Sequence, residues 1–152
     1  MSLAVGDEAP SFTLETDGAG EVSLEALRGR KVVLYFYPKD DTSGCTKEAC
    51  GFRDALPDFG DGVEVIGVSP DNVASHDRFK AKYGLNFRLA SDPDHRVAEA
   101  YGAWVEKSMY GRKYMGVDRS TFLIDESGRI AGIWRKVKVP GHVDAVLAAS
   151  RA

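Results

Sequence analysis

The sequence has 152 residues, a formal net charge of −3 and 43% hydrophobic residues. This length fits one domain, because domains most often contain about 100–150 residues, and we therefore predict a single domain over residues 1–152. The slightly negative charge argues against a nucleic acid as the main partner, since duplex binding normally requires a basic face.

The N-terminus and the apolar segments lack the features of export and membrane signals. Residues 1–10 have neither a basic start nor an apolar stretch of the length found in signal peptides. The longest apolar run, Val32–Tyr37, is much shorter than the roughly 20 residues of a membrane helix. We therefore expect a cytoplasmic protein that does not bind membranes. In that reducing compartment, cysteines are more often catalytic or metal-binding than structural.

The first third of the chain predicts a hairpin, a buried strand and a helix. Residues 12–23 alternate, turn at 17–20 and alternate again, which indicates an N-terminal β-hairpin. Residues 31–37 are β-branched, aromatic and almost continuously apolar, as is typical of a strand covered on both faces. A loop then leads to a helix that begins at about Thr46 and either kinks or ends at Pro57.

The rest of the chain alternates strands with short helices. The predicted strands and helices are strands over residues 63–69, 86–90, 120–124 and 129–137, and helices over residues 75–83, 96–101 and 142–149. Arg135, Lys136 and Lys138 alternate with valines in the last strand, so we expect them on its solvent-exposed face. This order predicts an α/β, thioredoxin-like sandwich with a central mixed sheet flanked by helices. Residues 86–101 are expected to form an insertion in it.

Cys45 lies at the predicted start of a helix, after a strand and a loop. Backbone N–H groups at a helix N-terminus are unpaired and carry a partial positive charge. A thiolate at this position is stabilised, which is the condition for a cysteine nucleophile at neutral pH. The position alone also allows a buried and unreactive cysteine, because free cysteine is among the most buried residue types.

The spacing of the two cysteines predicts two conformational states. Residues five apart on an intact helix have Cα atoms roughly 8.7 Å apart, whereas a disulfide requires about 4.4–6.8 Å. Cys45 and Cys50 therefore cannot join while the first turns of the helix are formed. One state presents the thiolate, and an unwound state could hold a disulfide.

Zinc binding is the competing use of two cysteines. A structural zinc site requires four nitrogen or sulfur ligands at recognisable spacing. His76, His95 and His142 are scattered along the chain, and each lies in a polar stretch that we expect at the surface. We expect no metal and no cofactor.

The residues around the cysteines resemble one protein family. Residues 38–45, Pro-Lys-Asp-Asp-Thr-Ser-Gly-Cys, match the Pro-x-x-x-Thr-x-x-Cys signature of peroxiredoxins. Residues 35–50 resemble the bacterioferritin-comigratory, or PrxQ, branch, in which some members have a resolving cysteine five residues after the peroxidatic one. The segments 6–14 and 117–124 extend the resemblance over nearly the whole chain. The resemblance implies a thioredoxin-dependent peroxidase for hydrogen peroxide and organic hydroperoxides.

The same resemblance implies a role for each matching residue. Cys45 would be the peroxidatic cysteine, which attacks a peroxide oxygen and becomes a sulfenic acid. Cys50 would resolve that acid as an intramolecular disulfide, which thioredoxin would reduce. Thr42 would orient the peroxide, Arg119 would hold the thiolate and polarise the O–O bond, and Pro38 would shield the sulfur.

The segment around Cys45 also contains residues for which the sequence suggests a structural role. Glu48 matches a family glutamate and is expected to pair with Arg119 and orient it, although a solvated glutamate on the helix face is the alternative. Asp40 and Asp41 are predicted to be turn residues. Ser43 replaces the proline usual in the family and offers a helix-capping hydroxyl, so it could alter the balance between the folded and unwound states.

Two other functions remain open from the residues alone. A general thiol–disulfide oxidoreductase on the same fold predicts Cys-x-x-Cys, whereas this chain has four residues between its cysteines. A non-catalytic redox sensor or binding module could use the cysteine pair to change shape. Repeated peroxide turnover with thioredoxin, as opposed to one stoichiometric oxidation, separates these functions from a peroxidase. We expect a monomer or a weak dimer, and the preferred peroxide and the reductant are not determined by the sequence.

Overall fold

The computed structural model describes residues 3–152. Its strands are β1 (Thr13–Thr16), β2 (Gly20–Ser23), β3 (Lys31–Phe36), β4 (Val63–Ser69), β5 (Arg88–Ser91), β6 (Trp104–Met109), β7 (Arg112–Val117), β8 (Ser120–Ile124) and β9 (Ile130–Trp134). Its helices are α1 (Ser43–Phe59), α2 (Val73–Tyr83), α3 (Arg96–Ala100) and α4 (His142–Ser150). No helix among these residues is both long and apolar enough to cross a membrane.

Seven strands form one mixed sheet in the order β2-β1-β5-β4-β3-β8-β9. Strands β3, β4 and β5 are parallel, whereas β1 and β8 run antiparallel to their central neighbours. The predicted central mixed sheet and N-terminal hairpin are therefore confirmed. Residues 86–101 are predicted to be an insertion. This prediction is wrong for the strand in this segment, β5, because β5 pairs with both β4 and β1. That position buries Leu89 and Ala90 completely.

Alternate residues of β3 face opposite sides of the sheet, as the period of a strand requires. Leu34 and Phe36 belong to one hydrophobic cluster, and Val33 and Tyr35 belong to the other. Cys45 belongs to the second cluster, together with apolar residues of α1 and α4. The prediction of a strand covered on both faces is confirmed, and the reactive-cysteine candidate lies on the face covered by α1 and α4.

Helix α1 differs from the sequence prediction at both ends. It begins at Ser43 rather than at about Thr46, because the loop residues before Cys45 lack the apolar spacing that marks a helix. The N-cap residue is Thr42, and Ser43 occupies the first helical position, so the predicted capping role of Ser43 is wrong. Cys45 consequently lies within the first turn and not ahead of it.

Pro57 neither ends nor interrupts α1, which continues to Phe59. A proline inside a helix has no N–H for the carbonyl four residues earlier, and that carbonyl belongs to Arg53. The side chain of Asn86 donates to the Arg53 oxygen at 3.1 Å and replaces the missing helical hydrogen bond.

The predicted strand over residues 129–137 ends earlier, at Trp134. Arg135 lies beyond the strand, where its guanidinium donates to the carbonyl of Tyr101 at 3.2 Å and stacks over Phe122. Lys136 has a φ of 48°, which takes the backbone out of the strand conformation. The assignment of this basic cluster to the face of a strand is therefore wrong.

The hairpin formed by β6 and β7 was not predicted. It makes a separate two-stranded sheet, and most of its side chains are at least partly exposed on both faces. A strand pair without a buried face shows no apolar alternation in its sequence. The turn residue Tyr110, with a φ of 53°, is 98% exposed.

Candidate active site

The sulfur of Cys45 is placed by the first turn of α1. Thr42 ends the preceding loop, and its carbonyl accepts the first hydrogen bond of the helix from the N–H of Thr46 at 2.8 Å. The N–H groups before Thr46 have no partner within the helix, so the positive end of the helix dipole lies beside Cys45. The cysteine is only 1% exposed, which keeps bulk water away from the sulfur.

Arg119 connects this sulfur to a buried carboxylate. It lies between β7 and β8, and its Nη2 donates to Cys45 Sγ at 3.2 Å while its Nη1 donates to Glu48 Oε1 at 2.7 Å. Burial opposes the positive charge of Arg119, but attraction to Glu48 and Cys45 outweighs it and raises the pKa of Arg119. A permanently charged guanidinium with two fixed donors therefore faces the sulfur.

Gly44 provides the space for this guanidinium. A Cβ at position 44 would lie 3.2 Å from Arg119 Nη2, so a side chain there would require the guanidinium to shift by a few tenths of an ångström. Glycine in a helix costs about 0.5–1 kcal/mol relative to alanine, and the close approach of Arg119 explains its presence. Sequence reasoning missed this residue, and the only available signal was a glycine inside the first helical turn.

Thr42 and Pro38 are exposed residues of the loop that leads into α1. The Thr42 hydroxyl donates to the carbonyl of Lys39 at 3.0 Å, which leaves its lone pairs available to a donor in solution. Cys50 lies farther along α1 and is half-buried. The structure thus brings Arg119 into contact with both Cys45 and Glu48, and Cys50 lies farther along the same intact helix.

Glu48 is completely buried, so the alternative of a solvated helix-face glutamate is wrong. Burial raises the pKa of Glu48 to about 7, although the Arg119 guanidinium acts in the opposite direction. Its second oxygen, Oε2, has no hydrogen-bond partner in residues 3–152 and lies 4.0 Å from Nε2 of His142. Desolvation at this oxygen is what disfavours the ionised carboxylate.

His142, at the start of α4, is buried, contrary to the expectation of a surface histidine. A hydrogen bond of 2.8 Å joins its Nε2 to Thr121 Oγ1. Burial and the positive charge of Arg119 lower the pKa of His142 to about 4. The imidazole is therefore neutral at neutral pH. The contacts of His142 with Thr121 and Glu48 could not be predicted from the polar stretch of sequence around it.

The pKa values of His142 and Glu48 predict opposite effects on stability in acid. The folded pKa of His142, about 4, lies below its ordinary value of 6.5. The contribution of His142 to the free energy of unfolding is therefore present above pH 6.5 and is lost as the pH falls towards 4. The folded pKa of Glu48, about 7, lies above its ordinary value of 4.5. The contribution of Glu48 to the free energy of unfolding therefore grows as the pH falls from 7 to 4.5. The two effects partly cancel in the wild type.

We therefore expect His142→Asn to become more stable relative to the wild type on acidification. The relative gain in the free energy of unfolding between about pH 7 and about pH 5 should be on the order of 1–2 kcal/mol. Urea unfolding of both reduced proteins across this range measures it, and Glu48→Gln should shift in the opposite direction. Parallel pH profiles for the wild type and His142→Asn would contradict the assignment.

The comparisons with known proteins agree with this geometry. Residues 5–133 match the AhpC/TSA family. A putative peroxiredoxin from Coxiella burnetii is 56% identical, and the alignment covers 97% of this chain and 98% of that protein. The chain is a peroxiredoxin of the AhpC/TSA family. As such it is a peroxidase and an oxidoreductase, and the enzyme class predicted from the sequence is confirmed.

Solved structures of PrxQ proteins share the fold of this peroxiredoxin. The bacterioferritin comigratory protein of Xanthomonas campestris, described for its alkyl peroxide reduction activity, has a TM-score of 0.88 and 45% identity, covering 92% of this chain and 90% of that chain. A PrxQ mutant from Xylella fastidiosa has a TM-score of 0.93 and 40% identity, covering 99% and 97%. The predicted thioredoxin-like fold is thereby confirmed.

Proposed function

We propose that this peroxiredoxin reduces hydrogen peroxide and organic hydroperoxides at Cys45, resolves the product with Cys50, and is recycled by thioredoxin. The observation that carries the proposal is the 3.2 Å contact between Arg119 Nη2 and Cys45 Sγ. A guanidinium at that distance stabilises a thiolate and also lies where a peroxide oxygen gains negative charge. The alkyl peroxide reduction named for the Xanthomonas campestris protein supports organic hydroperoxides as substrates.

In the first step, the Cys45 thiolate attacks the nearer oxygen of the peroxide. The S–O bond forms as the O–O bond breaks, so the sulfur becomes a sulfenic acid and the peroxide is reduced by two electrons. The leaving oxygen takes up one proton, which balances the proton that the Cys45 thiol released on ionisation, and departs as water or an alcohol. Arg119 stabilises the charge that moves onto this oxygen, Glu48 fixes the guanidinium, and Thr42 accepts the hydrogen bond of the peroxide hydroxyl. Pro38, in the loop that leads into α1, limits access of water to the sulfur.

In the second step, Cys50 attacks the sulfenic sulfur of Cys45 and releases water, which leaves an intramolecular disulfide. Both residues belong to α1, and residues five apart in a helix are about 8.7 Å apart at Cα. A disulfide requires about 4.4–6.8 Å. Resolution therefore requires the first turns of α1 to unwind, which also exposes the disulfide to a protein dithiol.

The wider setting follows from the composition. We propose that residues 1–152 act as one domain in the cytoplasm, as a monomer or a weak dimer, with thioredoxin or a similar dithiol protein as the reductant. A net charge of −3 disfavours a role on nucleic acid. A reducing compartment keeps both cysteines available as thiols between turnovers.

Mass spectrometry of the peroxide-treated protein tests the resolving step. We expect a peptide that links residues 45 and 50, and thioredoxin with its reductase should remove the link. Cys50→Ser should instead show one rapid turnover and then hold a sulfenic acid that dimedone traps. A link between the Cys45 residues of two chains in the wild type would contradict an intramolecular mechanism, and persistence of the link with thioredoxin would contradict the reductant.

A further inference from the structure

The loop that leads into α1 is held by a buried carboxylate. Asp40 lies in a turn, as predicted, but it is only 8% exposed. Its Oδ1 accepts from the Tyr37 hydroxyl at 2.6 Å, and its Oδ2 accepts from the Ser75 hydroxyl at 2.8 Å. Nδ1 of His76 lies 2.7 Å from the same Oδ2. Three groups from two elements therefore converge on this one carboxylate.

His76 joins Asp40 to the sheet. The imidazole is completely buried, and its Nε2 lies 3.0 Å from the carbonyl oxygen of Ala90 in β5. Its other ring nitrogen, Nδ1, faces Asp40, so one rigid ring links the loop to the sheet. Burial raises the pKa of Tyr37 well above its ordinary value, and Asp40 adds to the shift, so this phenol remains a donor to Asp40.

Helix α2 and the residue Asp71 before it also bind the backbone of Asp40 and the side chain of Asp41. The backbone N–H of Asp40 donates to Asp71 Oδ2 at 2.7 Å, just before the helix. Asp41 has a φ of 59°, and its carboxylate accepts from Lys82 and Tyr83 at the end of the helix, at 2.7 and 2.6 Å. The loop is thus attached to both ends of α2, and the chain reaches Thr42 directly afterwards.

We propose that His76 is a positioning residue for peroxide reduction: its imidazole links Asp40 to the Ala90 carbonyl and so fixes the loop that presents Thr42 and the first turn of α1 to the substrate. This inference rests on the proposed function of Cys45 and Thr42. The contact between His76 and Asp40 is buried and belongs to α2 and the loop, outside the turns that unwind for resolution. Removing the ring therefore loosens the geometry of the oxidation step and leaves resolution nearly unchanged.

Replacing His76 by glutamine tests the proposal, because a flexible amide has no ring that holds Asp40 and the Ala90 carbonyl at once. The reduced enzyme is mixed with peroxide, quenched at intervals and analysed by mass spectrometry for thiol, sulfenic acid and disulfide. The oxidation rate constant should fall about tenfold or more, as expected for misplaced reacting groups, and the resolution rate should stay within about threefold. In the His76→Gln background, adding Asp40→Asn should cost little more, because the two groups act as a pair.

Two controls separate positioning from a general loss of stability. Ser75→Ala removes a neutral donor from the same carboxylate oxygen, so oxidation should change by about twofold or less. Ile130→Ala, in the core on the other side of the sheet, should lower the free energy of unfolding without slowing oxidation.

The outcomes distinguish this inference from the proposed function. An unchanged oxidation rate in His76→Gln, or an equal slowing in Ile130→Ala, would overturn the positioning role while wild-type Cys45 still reacted with peroxide. Failure of the proposed function would instead appear in the wild type, as the absence of any peroxide-dependent oxidation of Cys45.

Discussion

Cys45→Ser is expected to abolish peroxide reduction, with kcat/KM lower by at least about four orders of magnitude. A serine hydroxyl is not ionised at neutral pH and cannot attack the peroxide oxygen, although it fills nearly the same volume as the thiol. The sulfur is buried and contacts Arg119, so the substitution removes the nucleophile and leaves the surrounding hydrogen bonds in place. Oxidation of NADPH through thioredoxin reductase and thioredoxin measures the loss.

Cys50→Ser is the matched control for this experiment, because it makes the same atomic change five residues along the same helix. It should retain the first oxidation at close to the wild-type rate and lose only sustained turnover. Far-UV circular dichroism should show both variants folded. Continued peroxide turnover in Cys45→Ser would assign the reaction to another group and reject Cys45 as the peroxidatic residue.

Arg119→Met should slow the oxidation of Cys45 by about 10²–10³-fold, the usual consequence of losing a charged donor aimed at a developing oxyanion. Methionine keeps much of the length and volume of the side chain, but it removes the donors to Cys45 Sγ and Glu48 Oε1. Glu48 would then be buried without its counter-charge and would be held in its protonated form. Single-turnover kinetics at several peroxide concentrations give the oxidation rate constant.

Two arginine variants sharpen this result. Arg119→Lys should recover only part of the rate, because one ammonium group cannot reproduce the planar fork that joins the sulfur to the carboxylate. Arg135→Met removes a guanidinium that contacts Tyr101 and Phe122 in the other hydrophobic cluster, so its oxidation rate should remain within about threefold of the wild type. If Arg119→Met slows the oxidation of Cys45 by less than about tenfold, the guanidinium does not take part in the reaction.

The parts of the fold that follow from local pattern were predictable. Strand β4 has the predicted bounds of 63–69, and β3 ends one residue before the predicted limit of 37. Both strands are buried on both faces, which leaves a continuous apolar run in the sequence. The hairpin of β6 and β7 left no such signal because neither of its faces is buried. Pattern reasoning detects burial, and it fails where an element forms at the surface.

The candidate site divides in the same way. The Pro-x-x-x-Thr-x-x-Cys segment lies within one stretch of eight residues, so its resemblance to peroxiredoxins was readable directly. The role of Gly44 was not readable, because it depends on a guanidinium that approaches from a distant part of the chain. His76 and His142 were assigned to the surface and are buried. A polar sequence does not show which face of a helix packs against the sheet.

The order of the elements, the central strands and the cysteine pair at the start of a helix could be inferred from the amino acids alone, because each depends on residues close together in the chain. Which distant side chains meet became clear only from the folded chain. Arg119 reaches Cys45 across 74 residues, and His76 reaches Asp40 across 36. These contacts exist because β8 and α2 pack beside β3 and the loop that follows it, and burial there makes each unpaired polar group too costly to leave without a partner.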